Sequence, residues 1–149
     1  MTGKSARLGL PYLYVGQAQK EITHNEALAV LDTVVAPVIE AELDTDPQGL
    51  YTGDAGKCWL VDAGATGAWA GHEDEIAYWT GESWRFVAPP DRIKAFRADL
   101  GQEVVRANGA WFAAPAVVNP VSGGVVDDEA RAAIVAILSI FRSNGLIPA

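Results

Sequence analysis

Tyr78-Trp79-Thr80-Gly81-Glu82-Ser83-Trp84-Arg85-Phe86 and Val105-Arg106-Ala107-Asn108-Gly109-Ala110-Trp111-Phe112 are two versions of one pattern. A short strand meets a glycine turn, and a tryptophan opens the returning strand; Pro89 and Pro115 follow soon after. Asn-Gly between strand-like residues is a strong short-range hairpin signal, because both turn positions accept positive φ. A lone hairpin is marginal in water, so the repeat implies a sheet of more than two strands. Around it, period-two runs with turn signals between them predict strands at Lys57–Val61, Ile76–Trp79, Trp84–Val87, Ile93–Ala98, Glu103–Ala107 and Trp111–Ala113. Residues 38–114 are therefore expected to form a small antiparallel β-hairpin module, either a sheet or an open barrel.

Upstream, residues 1–22 read as an extended arm punctuated by Gly9, Pro11 and Gly16, with Leu8, Leu10, Tyr12, Leu13 and Tyr14 to lay on a surface. Thr23-His24-Asn25-Glu26 has the form of a capping box, flanked by Ile22 and Ala27 at staple positions. It predicts a helix from about His24 to Ala36, stopped by Pro37, whose packing stripe is Ala27, Leu28, Leu31, Val34 and Val35. Residues 1–37 form a docking or oligomerisation unit in this reading.

Downstream, residues 115–126 carry Pro115, Pro120, Gly123 and Gly124 and read as a linker. Asp127 is a natural N-cap for a helix over about Asp128–Ser143, and Gly145 a left-handed C-terminal residue that lets Leu146 fold back toward Phe141. That helix is apolar along Ala130, Ile134, Ile137, Leu138 and Phe141, and again along Ala133, Ala136 and Ile140. One sheet face covers only one stripe, and each large side chain left wet forfeits ~1.5–3 kcal/mol. Residues 127–149 are thus expected to drive self-association through Ile134, Ile137, Leu138 and Phe141, with a homotrimer favoured. The fold class expected is α+β, inside an oligomer.

Half of the residues are hydrophobic and the formal net charge is -8, which suits a packed domain and opposes a nucleic-acid partner. Cys58 stands alone, excluding an internal disulfide and a cysteine metal cage, and reads as a buried inert thiol. The first ten residues do not resemble a signal peptide, and the longest apolar run, Ala132–Leu138, is far too short to cross a membrane. The expectation is assembly in the cytoplasm without membrane insertion.

Leu10-Pro11-Tyr12-Leu13, Gln17-Ala18-Gln19-Lys20-Glu21, Thr23-His24-Asn25-Glu26-Ala27-Leu28 and Leu31-Asp32 occur in order. They are followed by Gly64-Ala65-Thr66-Gly67-Ala68-Trp69-Ala70-Gly71-His72, Ile76-Ala77 and the Trp79, Gly81, Trp84 hairpin. Together, over roughly Leu8–Phe112, they resemble an uncharacterised domain family common in prophages and gene transfer agents, in tail-fibre-like and head-spike-like proteins. The resemblance implies a structural particle component that binds other particle proteins. It departs at Gly49-Leu50-Tyr51, where family members usually carry a Gly-Asp-Arg-Tyr-like strand start.

Catalytic chemistry is hard to assemble from these residues. His24 and His72 are the only histidines, so no triad or histidine-rich metal site presents itself. His72-Glu73-Asp74-Glu75 lacks the spacing of a calcium loop and reads as a solvated turn. Gly64, Gly67 and Gly71 match neither nucleotide fingerprint and are expected to present Trp69. Trp69 and His72 are the ligand-binding candidates, with cell-surface polysaccharide the ligand class; Trp59, Trp79, Trp84 and Trp111 are expected to fill the β core. Asn25 and Gln19 either pair across a subunit interface or face water. No cofactor and no catalytic residue are expected. The leading function is a fibre or spike adaptor of a phage-like particle; the alternatives are a polysaccharide depolymerase and a free cytoplasmic sugar-binding module.

Overall fold

In the computed structural model, which describes residues 3–14, 16, 20–121, 123–124 and 127–148, the two repeated hairpins are the opposite edges of one seven-stranded sheet. Its strands are β1 (Val38–Leu43), β2 (Cys58–Val61), β3 (Ile76–Trp79), β4 (Trp84–Val87), β5 (Lys94–Arg97), β6 (Gln102–Ala107) and β7 (Ala110–Ala113). They lie in the order β4-β3-β2-β1-β5-β6-β7, preceded by helix α1 (Lys20–Val34) and followed by helix α2 (Asp128–Ser143). The class is α+β, as the sequence implied.

The middle of the sheet corrects the antiparallel expectation. β1 runs parallel to both β2 and β5, and only the outer pairings β2–β3, β3–β4, β5–β6 and β6–β7 are antiparallel. The long connection over residues 44–57 makes this possible, since parallel neighbours need a crossover rather than a tight turn. Period two in Ile39-Glu40-Ala41-Glu42-Leu43, directly after Pro37, was the available signal for this central strand.

The sheet curls. On its concave side Ile39, Leu60, Ile76, Tyr78, Ala95 and Val104 form one core, against which Trp111 of the far edge packs. The Trp111 indole Nε1 donates to the Asp74 carbonyl at 3.2 Å, and the Arg106 guanidinium donates to the same oxygen. The β6–β7 hairpin therefore reaches across to the loop before β3, while the β4 and β7 edges remain unpaired with each other. The convex side holds a second core of Trp59, Val61, Trp69 and Ala77. All four residues of β2 are buried, because the strand is covered on both faces.

α2 begins and ends as the sequence predicts. The Asp127 carboxylate accepts from the Ala130 amide at 2.9 Å. At the other end Gly145, with φ 66°, closes a Schellman motif in which Leu146 N–H donates to Phe141 O and Gly145 N–H to Arg142 O. The Glu103 amide then donates to the Gly145 carbonyl at 2.5 Å, pinning this end to β6.

α1 differs from expectation at its start and on its buried face. The helix is already running at Lys20, so Thr23 is an interior residue and no cap. Lys20 and Glu21 are good helix formers, and continued propensity outcompetes the capping box. The helix ends at Val34, two residues short of the expected Ala36, whose φ of 46° already lies outside the helix. The buried residues are Ala29, Asp32 and Thr33, not the apolar stripe; Ala27, Leu31 and Val35 are exposed.

Candidate functional site

The polar face of α1 is buried because the N-terminal arm folds onto it. Residues 3–12 make a small loop of their own, closed by Ser5 N–H to Leu10 O and Tyr12 N–H to Gly3 O. Asp32, 0% exposed, ties that loop down. Its carboxylate accepts from Ser5 Oγ at 2.7 Å, Arg7 N at 3.0 Å, Leu8 N at 2.6 Å and the Tyr78 hydroxyl at 3.2 Å. The Arg7 guanidinium donates to the carbonyls of Asp32, Thr33 and Ala36, satisfying orphan acceptors at the helix C-terminus. Asn25 completes the attachment, accepting from Leu13 N and donating to Leu13 O. The arm thus docks on its own helix, and Asn25 serves that contact rather than an interface or solvent. Gln19 lies outside the described residues.

These groups are committed to architecture. Burial and the Asp32 charge push the Tyr78 phenol far above its ordinary range, so it remains a neutral donor. Burial pushes the Cys58 thiol up to about 12, keeping it protonated and a poor nucleophile. Sequence reading missed Asp32. A lone Asp two residues before the end of the helix, with Ser5 and Arg7 in a preceding arm, gives no local sign that they meet.

The loop candidates separate. Trp69 is 0% exposed, which overturns its expected presentation to a receptor. A 3-10 turn over Gly67–Trp69 bends the loop back, anchored by Thr66 N–H to Asp44 O, and the ring packs edge to face on Trp84 with centroids 5.1 Å apart. The turns that were expected to push the ring out instead fold it in. His72 stays half-buried: its ring stacks on Phe86 at 3.7 Å, and Nδ1 lies 2.8 Å from a Glu75 carboxylate oxygen. Trp69 and His72 therefore do not form a joint exposed site.

What is open is apolar. On the convex side beyond the Trp69 loop, Val38, Phe96, Val105 and Phe112 form cross-strand neighbours on β1, β5, β6 and β7, and among them Val38, Phe96 and Phe112 are exposed. The Lys94–Glu103 ion pair, 2.8 Å long, sits between two shallow troughs of about 280 and 260 Å³ on this surface. α2 adds Ile134, Ile137 and Phe141, which are 45%, 49% and 42% exposed. Leu138, also expected at an interface, is 7% exposed and turned toward its own chain, which corrects its assignment. Among the described residues no group of three or more His, Cys, Asp or Glu is placed to hold a metal ion, and no helix is long and apolar enough to cross a membrane.

Comparison with known proteins gives one family. The family described as "Protein of unknown function (DUF2793)" matches residues 24–112, from within α1 to β7, and the chain belongs to it. No curated protein and no solved structure matches the chain.

Proposed function

We propose that this member of the DUF2793 family is a non-enzymatic structural component of a phage-like or gene-transfer-agent particle. In this reading it is a homo-oligomeric adaptor or receptor-binding module of a fibre or spike. The observation that carries the reading is the uncovered apolar surface on α2 and on the β5–β7 convex face, on a body whose buried Asp32 carboxylate is satisfied within the chain. Surfaces of that kind mark contacts with other proteins. The order of motifs along Leu8–Phe112, similar to that of particle proteins, supplies the setting.

The arm is part of the body, so attachment to the particle falls to the open face and α2 rather than to residues 3–14. A cell-surface polysaccharide is the receptor class of this reading, and with Trp69 buried a sugar ring would meet the half-exposed His72–Phe86 stack. The test is fractionation of particles from the producing cell, followed by mass spectrometry of the pelleted protein. Enrichment of this chain with capsid protein is expected. A chain that stays wholly in the soluble fraction while capsid pellets overturns the reading.

A further inference from the structure

We infer that three copies of this chain associate in parallel through α2, with Ala130, Ile134, Ile137 and Phe141 as the seam. These residues are spaced four, three and four apart, the d-a-d-a spacing of a heptad repeat, and all four are exposed on the single chain. In the same register Leu138 and Arg131 take the e position; Leu138 is the helix's one buried residue and Arg131 is partly covered. The helix therefore rests on its own body by one edge and holds the heptad seam away from it. Ser139 and Ala132 take the outer f position.

Surface area points to a second copy of the chain as the occupant, and to more than one neighbour. A compact monomer of 15.8 kDa exposes about 7,300 Å². This chain exposes 9133 Å², about 1,800 Å² beyond that expectation. A standard interface covers about 800 Å² per partner. That surplus, to which the extended Val118 and Val121 also contribute, is of the size that neighbours on two sides would cover. Seam chemistry narrows the number. Isoleucine at successive a and d positions, here Ile134 and Ile137, disfavours two-stranded packing and favours three or more strands. Rotational symmetry about one axis makes the helices parallel. The second patch, Val38, Phe96 and Phe112, lies on the side where Gly145 and Leu146 attach α2 to β6, so it borders the seam and would be covered by the adjacent copy.

The inference deepens the homo-oligomer part of the proposed function and rests on that part alone. Sedimentation or light scattering on the full chain should give three times the protomer mass. Ile134→Asp with Ile137→Asp should reduce it to a single protomer while the tryptophan fluorescence of the β module is unchanged. Ser139→Asp, on the outer position, should leave the threefold mass intact. A monomeric or dimeric wild type overturns the inference, and so does a doubly substituted chain that keeps the threefold mass. Ile137→Cys provides a second measurement if the double variant fails to fold. Cys58 is buried, so mild oxidation should give covalent pairs through residue 137 on a non-reducing gel; their absence overturns the parallel seam. A trimer that is missing from purified particles removes the particle reading and leaves the seam standing. A monomer found in particles does the reverse.

Discussion

The two halves of the sheet are built on opposite terms. Around β2, β3 and β4 both faces are covered: Trp69 and its loop lie on the convex side, and α1 with the arm lies on the concave side near Tyr78. Around β5, β6 and β7 the concave face is filled while the convex face is covered only where Gly145 and Leu146 lie, so burial alternates along β5 and Phe96 and Phe112 stay exposed. Each half also has its own helix. α1 turns Asn25, Asp32 and Thr33 inward and finds partners for them within the chain, whereas α2 leaves Ile134, Ile137 and Ile140 exposed. The closed half is finished by its own sequence; in the trimer we infer, the open half is finished by another copy.

If that contrast is right, the same kind of truncation should have unequal effects in the two halves. Trp69→Ala removes a fully buried ring from the convex core and should cost ~3–5 kcal/mol in chemical denaturation. A change below about 1 kcal/mol would mean that the loop is not a structural plug. Asp32→Ala comes next. It strands the Ser5 hydroxyl, the Leu8 amide and the Tyr78 hydroxyl, for a loss of about 3 kcal/mol. Faster hydrogen exchange confined to residues 3–14 should accompany it, and an unchanged exchange pattern would contradict the latch.

The open half should respond weakly. Phe112→Ala truncates a half-exposed ring, and in the dissociated chain it should cost no more than about 1 kcal/mol. A loss as large as that for Trp69→Ala would show that the face is covered within the chain after all. The halves meet at β1 and β5, where Arg97 donates to Glu42 Oε2 at 2.7 Å and to both Asp99 oxygens. The Arg97 hydrogen bonds hold the Asp99 carboxyl below its ordinary range. A depressed folded-state value gives stability that is present above the unfolded carboxylate pKa and lost as the pH falls through the folded one. Because Asp99 is substantially exposed, this amounts to less than about 1 kcal/mol. Comparing denaturation midpoints at neutral and strongly acidic pH for wild type and Asp99→Asn measures it; equal acid sensitivity in both would remove Asp99 as a cause.

The strands, the linker and α2 were legible because each carries its own punctuation: Gly81, Asn108-Gly109, Asp127 and Gly145 fix ends locally. What was not legible depends on distant pairs. Asp32 and Tyr78 are far apart in sequence, as are Trp69 and Trp84, and periodicity carries no information about which face a remote segment will cover. The arm changed the outcome for α1. Ser5, Arg7 and Leu13 offered polar partners that made Asn25 and Asp32 buriable, and the apolar stripe lost its claim to the interior. Of the candidate site, Ile134, Ile137 and Phe141 stand out by their spacing, but that they are exposed while Leu138 is buried depends on what the rest of the chain covers.

The smallest expected effect separates the two accounts of where α1 begins. A capping box at Thr23 would make its hydroxyl the partner of the Glu26 amide, and Thr23→Ala would cost ~0.5–2 kcal/mol. In the structure Lys20, Glu21 and Ile22 are already helical and Thr23 is exposed, so no amide depends on that hydroxyl. Alanine has the higher helix propensity, since threonine loses side-chain freedom against the preceding turn. Thr23→Ala should therefore leave stability unchanged or raise it by a few tenths of a kcal/mol. Denaturation of the two proteins side by side decides the matter by sign. A clear destabilisation would place the helix start at Thr23, and the segment before it would then have to be held by the arm rather than by the helix.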